Sequence, residues 1–269
     1  MFEKSVPGTF FYRPTGASGD DFERFESMPT TAGPWTPDAQ HGGPPAALLV
    51  RAVEQLEVAA DRVIGRFTID LWGPVPFGSV AVRATVLRPG RSVLLAEAEM
   101  YDVARDRVVA TGRAWLFPRA GDGPAAEVGP LGHTPADGVS RERPTAWHGG
   151  YLDAIEWRWI KGGVDESGPG IVWMRPPDLV EGEPITPVQR LLACVDSASG
   201  ASAALDVREW GFLNSELTVH VLRPPVGEWV CLDAATTFGG GAVGLATADV
   251  YDERGLVARS AQALLVVPR

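Results

Sequence analysis

The chain has 269 residues, of which 45% are hydrophobic and 22% charged, and its formal net charge is −10 at neutral pH. This composition is typical of a folded protein rather than a disordered one, and the length suffices for about two domains of ordinary size. The acidic balance disfavours a nucleic-acid surface, which needs a basic stripe. No apolar run reaches the roughly 20 residues that cross a bilayer, and residues 1–8 lack an apolar signal core, so we expect a cytoplasmic protein without a membrane span.

The first half of the chain predicts one helix followed by strands. Residues 46–56 repeat apolar side chains at the spacing of a buried helical stripe, and Pro44-Pro45 just before them suits a first helical turn. Runs of strand character follow, separated by Pro, Gly and charged turns. These predicted strands cover residues 62–72, 80–87, 93–102 and 108–117.

The second half predicts the same order of elements after a connecting segment. Residues 119–147 are rich in Gly, Pro and charge and lack periodicity, which predicts a linker between units at 1–118 and 148–269. The second helix is predicted at 187–197. Its strands are predicted at 213–222, 228–237, 242–251 and 257–267, with leading strands at 154–159 and 170–174 and a weaker one at 8–12 in the first unit.

The two halves repeat a single unit. Phe67-Thr68-Ile69-Asp70-Leu71 aligns with Leu217-Thr218-Val219-His220-Val221 at a shift of 150 residues, and the same shift aligns 93–102 with 243–252. A repeat of this length indicates a duplicated domain, since solenoid repeats run roughly 20–50 residues. We expect each copy to be an α+β unit whose antiparallel sheet wraps its helix. Two such units side by side bury their sheet edges against each other and bring both helices near a shared seam.

The two predicted helices differ in the residues that carry chemistry. With Pro44 aligned on Pro187, Asp196 stands opposite Val53, so only the second copy has an acid there. Asp196 follows an apolar segment, and a partly buried carboxylate suits a general base that activates water. The alternative is a helix-terminal Asp turned toward solvent.

A His-Gly-Gly step precedes only the first helix. His41-Gly42-Gly43 stands where the second copy has Ile185-Thr186. Free N–H groups and the helix dipole at such a step favour negative charge, as on a thioester carbonyl that becomes an oxyanion. Glycine also lets a substrate approach the backbone closely, although the same pair suits a plain tight turn.

Three segments in order give the chain a resemblance to a known family. The apolar helix ending in Asp196, the segment 214–224 with its Arg223-Pro224, and the closing Arg259-Ser260-Ala261-Gln262 resemble the type II acyl-CoA thioesterases, which are double hotdog proteins. The resemblance covers nearly the whole chain and includes the tandem repeat. It implies an α+β fold of two tandem hotdog units, each with a central helix wrapped by an antiparallel sheet. It also implies hydrolysis of an acyl-CoA, or another acyl thioester, to free acid and thiol.

In that family an Asp, a Thr and a Gln position the attacking water. The resemblance puts Asp196 and Gln262 in the Asp and Gln positions, and Gln262 has Ala114 as its counterpart in the first copy. Asn214 falls in the Thr position, which departs from the family, although an amide also orients water or a carboxylate. Thr218, four residues on and on the same face of a strand, is the alternative.

The resemblance extends to the start of the first helix. His41-Gly42-Gly43 is similar to the His-Gly-Gly signature of other hotdog thioesterases, in which a glycine N–H binds the thioester oxygen. It implies that Gly42 and Gly43 are oxyanion donors and that His41 is either a ligand contact or a structural hydrogen-bonding residue. We therefore expect a site that spans both copies.

The same residues bear on rival functions, on metal binding, on the two cysteines and on the oligomeric state. A non-catalytic acyl-thioester or lipid-binding double hotdog protein stays open because of Asn214. A dehydratase or hydratase is disfavoured because it needs an Asp and His pair on one helix and loop, and the segment directly after Asp196 has no His. Neither a metal nor a cofactor is implied, since the His and Cys residues lack ligand spacing. Cys194 and Cys231 are interpreted as buried core thiols without a disulfide. Exposed strand edges predict a homodimer or a higher homo-oligomer.

Tryptophan is abundant, at nine residues. Trp35 stands just before the His-Gly-Gly step, and Trp157, Trp159 and Trp173 lie on the predicted leading strands of the second unit. These side chains either line an acyl channel or pack in the core of the sheet.

Overall fold

The computed structural model describes residues 9–17, 22–36, 38–119, 129–143, 147–164, 166–206 and 208–269. These residues form fourteen strands in one sheet, with helices packed against it. The strands are β1 (Phe10–Ala17), β2 (Glu23–Ser27), β3 (Arg62–Leu71), β4 (Ser79–Arg88), β5 (Leu94–Asp102), β6 (Arg107–Pro118), β7 (Glu156–Gly163), β8 (Glu166–Arg175), β9 (Asp178–Val180), β10 (Trp210–Asn214), β11 (Glu216–Val221), β12 (Val230–Phe238), β13 (Val243–Asp252) and β14 (Gly255–Pro268). The helices are α1 (Gly43–Glu54), α2 (Gly150–Ala154), α3 (Pro187–Val195) and α4 (Ala198–Ala201), with 3₁₀ turns at Pro29–Thr31, Glu57–Ala59 and Pro135–Asp137.

The long helix of each unit forms where the apolar periodicity predicts one. α1 is buried along nearly its whole length, and it begins at Gly43 rather than residue 46 because two prolines occupy its first turn. α3 begins after Thr186, whose hydroxyl accepts the Gln189 N–H at 3.2 Å. The Gln189 side chain in turn accepts the Thr186 N–H, which completes a capping box. α3 ends at Val195, so Asp196 is its C-cap residue.

The two units join edge to edge into a continuous sheet. β3 of the first unit pairs antiparallel with β11 of the second, and Thr68 lies opposite Thr218. The strand order is β7-β8-β12-β13-β14-β11-β3-β6-β5-β4-β2-β1-β9, and β10 also pairs with β14. The predicted burial of sheet edges against each other is thereby confirmed.

The structure corrects several details of the predicted strands. Residues 213–222, predicted as one strand, form β10 and β11 with a break at Ser215, whose N–H donates to the Ala263 carbonyl at 3.1 Å. The leading strand predicted at 154–159 starts only at Glu156, because the residues before it form α2. β2 and β9 were not predicted. Both pair with β1, and such tertiary pairing overrides a weak local pattern.

α1 and α3 pack against each other in opposite directions. The start of α1 meets the end of α3, where a Cβ added to Gly43 would lie 2.4 Å from the Ala193 carbonyl oxygen. The end of α1 meets the start of α3, where Glu54 accepts hydrogen bonds from Thr186 and Gln189. The predicted position of both helices at a shared seam is therefore confirmed.

Three further expectations concern thiols, membranes and the linker. Cys194 and Cys231 are both buried and free, as predicted. Within the described ranges, no helix is long and apolar enough to cross a membrane. The described part of the predicted linker packs along β7, where Val139 and Trp159 exchange backbone hydrogen bonds of 3.0 and 2.8 Å. The unit boundaries at 118 and 147 stay predictions.

Candidate active site

Asp196 lies at the end of α3 with its carboxylate turned inward. The side chain is only 5% exposed. Its Oδ1 accepts the Asn214 Nδ2–H at 2.6 Å and the Gln262 Nε2–H at 3.1 Å. Both donors are neutral amides, which satisfy hydrogen bonding without supplying a compensating positive charge. The low exposure and the two hydrogen bonds show that the carboxylate is buried. The alternative, a helix-terminal Asp turned toward solvent, is therefore wrong.

Gln262 reaches Asp196 from β14. Its side chain is fully buried, and its Nε2 also donates to the Asp196 carbonyl oxygen at 3.1 Å. Its Oε1 accepts the Ser199 N–H at 3.3 Å, so both polar atoms of the amide have partners within the protein. Gln262 thus fixes the Asp196 carboxylate and the turn that follows it.

The structure brings Asn214, rather than Thr218, to Asp196. Asn214 is the last residue of β10 and is half-buried beside the carboxylate. Thr218 lies on β11, where its hydroxyl donates to Glu216 Oε2 at 3.0 Å and lies 3.1 Å from the Thr68 hydroxyl. Asn214 therefore belongs to the cluster around Asp196, and Thr218 belongs to the seam between the units.

His41 contacts the second oxygen of the carboxylate. Its Nδ1 lies 3.1 Å from Asp196 Oδ2, and the Gly43 N–H donates to the same nitrogen at 3.1 Å. Burial lowers the pKa of His41, and the nearby Asp196 carboxylate opposes part of that shift. In the neutral ring, Nδ1 either carries a hydrogen that it donates to Asp196 or offers a lone pair to Gly43. The proton between His41 and Asp196 thus decides whether the Gly43 N–H is engaged.

Gly42 brings the backbone at the start of α1 against the Asp196 carboxylate. Its φ of −68° suits any residue, so the requirement for glycine is spatial. An added Cβ would lie 2.8 Å from Asp196 Oδ2 and 2.9 Å from Oδ1. The Gly42 N–H has no hydrogen-bond partner within the part of the chain that the structure describes. The two predicted oxyanion donors therefore differ, because one N–H is available and the other contacts His41.

Tyr151 belongs to this cluster and was missed by the sequence reasoning. Its ring stacks on the His41 imidazole with centroids 3.7 Å apart and planes 4° from parallel. Its hydroxyl donates to the Ala193 carbonyl at 2.7 Å and lies 2.9 Å from Ser197 Oγ. No local pattern marks Tyr151, because it lies on a five-residue helix and contacts residues far away in sequence.

A pocket opens beside these residues, and its lining includes Asp196, His41 and Asn214. Its volume is about 540 Å³, with the solvent-open mouth included. The aromatic residues that line it are Trp35, Trp147, Trp157, Trp159 and Phe212. Trp173, by contrast, is 1% exposed and donates from Nε1 to His133 at 3.1 Å. The tryptophans singled out in the sequence thus divide between the pocket and the core.

The other crossing of α1 and α3 carries a different set of side chains. Glu54 Oε2 accepts hydrogen bonds from Thr186 Oγ1 at 2.9 Å and from Gln189 Nε2 at 2.7 Å, and burial raises the pKa of Glu54. One turn earlier, Arg51 is 3% exposed and pairs with Glu23 at 2.7 Å. A Gln amide donates to a carboxylate at both crossings, whereas the Gly-Gly step and the Asn amide of the first crossing have no equivalents among these contacts.

Two tandem α+β units, a shared sheet and a carboxylate buried where their helices cross define a double hotdog protein. Residues 31–117 match the N-terminal domain of acyl-CoA thioesterases, and residues 134–266 match their C-terminal domain. The chain therefore belongs to the acyl-CoA thioesterase family, which supports thioesterase activity in general. A comparison with curated protein sequences finds no significant match.

Solved structures similar to this chain share its fold. A candidate thioesterase II of Thermobifida fusca YX is 18% identical, with a TM-score of 0.73 and coverage of 98% of this chain and 100% of the other. Acyl-CoA thioesterase II TesB2 of Mycobacterium marinum is 16% identical, with a TM-score of 0.66 and coverage of 93% and 94%. A hot dog fold protein of unknown function from Alicyclobacillus acidocaldarius is 18% identical, with a TM-score of 0.69 and coverage of 93% and 95%. These likenesses confirm the predicted hotdog fold.

Proposed function

We propose that the chain hydrolyses an acyl-CoA by direct attack of a water that Asp196 activates. The observation that carries this proposal is a buried carboxylate at the wall of a pocket, fixed by two neutral amides on one oxygen. General bases need a group that is both oriented and able to accept a proton. Asn214 and Gln262 supply the orientation, and Oδ2, which has His41 Nδ1 as its neighbour at 3.1 Å, keeps a lone pair for the proton.

The proposed reaction moves one proton from water to the departing sulfur and replaces the C–S bond with a C–O bond. The water oxygen bonds to the thioester carbonyl carbon while its proton passes to Asp196 Oδ2, since Oδ1 already accepts two N–H groups. The C–S bond then breaks, and the proton passes from Asp196 to the departing thiolate sulfur. One water is consumed, one acid and one thiol form, and neither a covalent enzyme intermediate nor a cofactor takes part.

The start of α1 supplies the proposed oxyanion donors. While Asp196 is ionised, a hydrogen on His41 Nδ1 donates to Oδ2, which releases the Gly43 N–H from that nitrogen. The Gly42 N–H, which has no partner within the described residues, is the first proposed donor to the negative charge that develops on the carbonyl oxygen, and the Gly43 N–H is the second once His41 Nδ1 no longer accepts it. One such preorganised donor contributes about 10²–10³ in rate. His41 in this proposal is a hydrogen-bonding residue that links the base to the oxyanion donors.

Release of free thiol from a panel of acyl-CoAs tests the proposal. We expect Asp196→Asn to lower kcat by about 10²–10⁴, the range for loss of a general base, and to preserve the fold because the amide is of equal size. Asp70→Asn is a matched control, since Asp70 is exposed on β3. We expect this control to hydrolyse the panel at the wild-type rate.

Two results would overturn the proposal. Full activity in Asp196→Asn would remove Asp196 from the chemistry. A wild-type protein that binds an acyl-CoA without releasing thiol would instead be the non-catalytic acyl-thioester binding protein that the sequence leaves open.

A further inference from the structure

The pocket beside Asp196 is walled by aromatic rings from separate parts of the chain. The Trp35 ring lies nearly perpendicular to the rings of Trp147 and Phe212, with centroids 5.9 and 5.2 Å away. Trp157 and Trp159, both on β7, lie within 10° of parallel at 6.1 Å. The aromatic residues of the lining therefore pack against one another in two ways, edge to face around Trp35 and parallel on β7.

The rings are held in place before any ligand arrives. Trp157 donates from Nε1 to the Leu152 carbonyl at 2.8 Å, and Trp159 is only 3% exposed. The Arg269 guanidinium lies 4.9 Å from the centre of the Trp35 ring. Fixed aromatic walls favour a rigid planar occupant, because edge-to-face and offset ring contacts add attraction beyond that of buried area. A flexible alkyl chain gains the buried area but loses rotamer entropy on binding.

The polar groups and the size of the pocket further restrict the kinds of acyl group that fit it. Asp196, His41 and Asn214 lie together in the lining, so the thioester carbonyl is fixed at their side and the acyl group is directed toward the indoles. The space within the lining is at most about 540 Å³, because that figure also counts the solvent-open mouth. This size favours a compact acyl group over a long chain.

We propose that the preferred substrate carries an aromatic ring close to the thioester carbonyl, as benzoyl and phenylacetyl groups do. This inference rests on the proposed function, since it names the substrate class of the same site.

Phenylacetyl-CoA and octanoyl-CoA form a matched pair for the test, because their acyl groups have the same number of carbons. We expect kcat/KM for thiol release to be at least about tenfold higher with phenylacetyl-CoA, the discrimination that a shaped apolar pocket provides. Trp35→Leu is expected to remove most of this preference, because kcat/KM should fall more for phenylacetyl-CoA than for octanoyl-CoA. Trp72→Leu is the control, because Trp72 is 67% exposed and does not line the pocket.

The outcomes separate the substrate class from the reaction. Equal or faster hydrolysis of octanoyl-CoA would overturn the aromatic preference and leave the proposed function standing. Faster hydrolysis of an acyl-CoA that ends in a trimethylammonium group would also overturn it, since aromatic walls bind such cations through cation–π contacts.

Binding decides the case in which no thiol is released. Quenching of tryptophan fluorescence in Asp196→Asn reports the dissociation constants of the same two esters without turnover. Tighter binding of phenylacetyl-CoA would support the aromatic pocket while the hydrolytic function fails. Equal binding, or none, would overturn the aromatic pocket as well.

Discussion

The hydroxyl oxygens of Thr68 and Thr218 lie 3.1 Å apart, and the two residues are separated by 150 positions, the shift of the sequence repeat. Two copies of one residue therefore face each other where β3 pairs with β11. Equivalent positions meet in this way only on a local two-fold axis. The seam thus relates the two units by rotation, and each crossing of α1 and α3 has a counterpart across the axis.

Thr218→Val tests whether this seam residue has a part in the reaction. The change removes contacts with Thr68 and Glu216, so we expect a loss of about 1 kcal/mol in the free energy of unfolding, as for an ordinary hydrogen bond. Urea denaturation measures this loss, and kcat should stay unchanged. In Thr68→Val/Thr218→Val the two losses should not add. A large fall in kcat for Thr218→Val would instead place Thr218 in the site.

The two glycines before α1 should respond differently to alanine. In Gly42→Ala the new Cβ meets the Asp196 carboxylate at 2.8 Å, so we expect kcat to fall by about 100-fold with little change in Tm. In Gly43→Ala the Cβ meets the Ala193 carbonyl at 2.4 Å, and we expect a loss of about 1–3 kcal/mol from overpacking. Thermal unfolding and steady-state rates distinguish the two variants. A Gly42→Ala protein with wild-type rates would contradict the role of this close approach.

Asn214 should be replaceable by threonine, the residue that the resemblance to type II acyl-CoA thioesterases implies at this position. Asn214→Thr retains a donor near Asp196 Oδ1, so we expect kcat within about tenfold of wild type. Asn214→Leu keeps the branched heavy-atom skeleton and has no donor, and we expect a fall of about 10²-fold because a buried carboxylate oxygen loses its 2.6 Å hydrogen bond. Thiol-release assays on both variants make the comparison. Equal rates in the two would show that the amide does not orient Asp196.

The lowered pKa of His41 predicts how stability depends on pH. Because the folded state holds the imidazole pKa below its ordinary 6.5, the unfolded chain takes up the proton first as the pH falls. We therefore expect stability to decline as the pH drops through 6.5 and to level off below the folded pKa. Tm measured at about pH 7.5 and 5.5 should fall more in wild type than in His41→Gln. His148→Gln, at a side chain that is 53% exposed, should behave like wild type.

Tyr151 is expected to act as a positioning residue for His41. Tyr151→Leu removes the ring stacked at 3.7 Å, and we expect a lower kcat with little change in KM because the imidazole loses its fixed orientation. Tyr151→Phe keeps the stacked ring and loses only the hydroxyl contacts, so it should retain most of the rate. A pH–rate profile adds a second readout, since a displaced His41 alters the acid limb. Equal loss in both variants would assign the effect to folding instead.

Much of the fold could be predicted because it depends on local patterns. The apolar stripe of α1, the capping residues of α3 and the repeat across the seam are all present in the sequence. The short strands β2 and β9 were not predicted, because they become strands through pairing with β1 rather than through their own residue pattern. The break between β10 and β11 at Ser215 was not predicted, because a hydrogen bond to the neighbouring strand β14 creates it.

The sequence predicted most of the residues of the candidate site but not the hydrogen bonds that join them. Family resemblance and the difference between the copies singled out Asp196, Gln262 and Asn214, which the structure brings together. The shared contact of His41 Nδ1 with Gly43 and Asp196 depends on distances that no sequence pattern contains. Tyr151 lacked any signal because its partners lie far along the chain.

The crossing of α1 and α3 that contains Glu54 affects how many ligand molecules one chain binds. In a symmetric pair of separate subunits, one substitution would alter both helix crossings at once, whereas a fused chain lets each crossing change alone. At one crossing, the Glu54 carboxylate accepts hydrogen bonds from Thr186 and Gln189. At the other, Asp196 lines the pocket. A titration with a slowly hydrolysed acyl-CoA should therefore saturate at one equivalent for each chain rather than two.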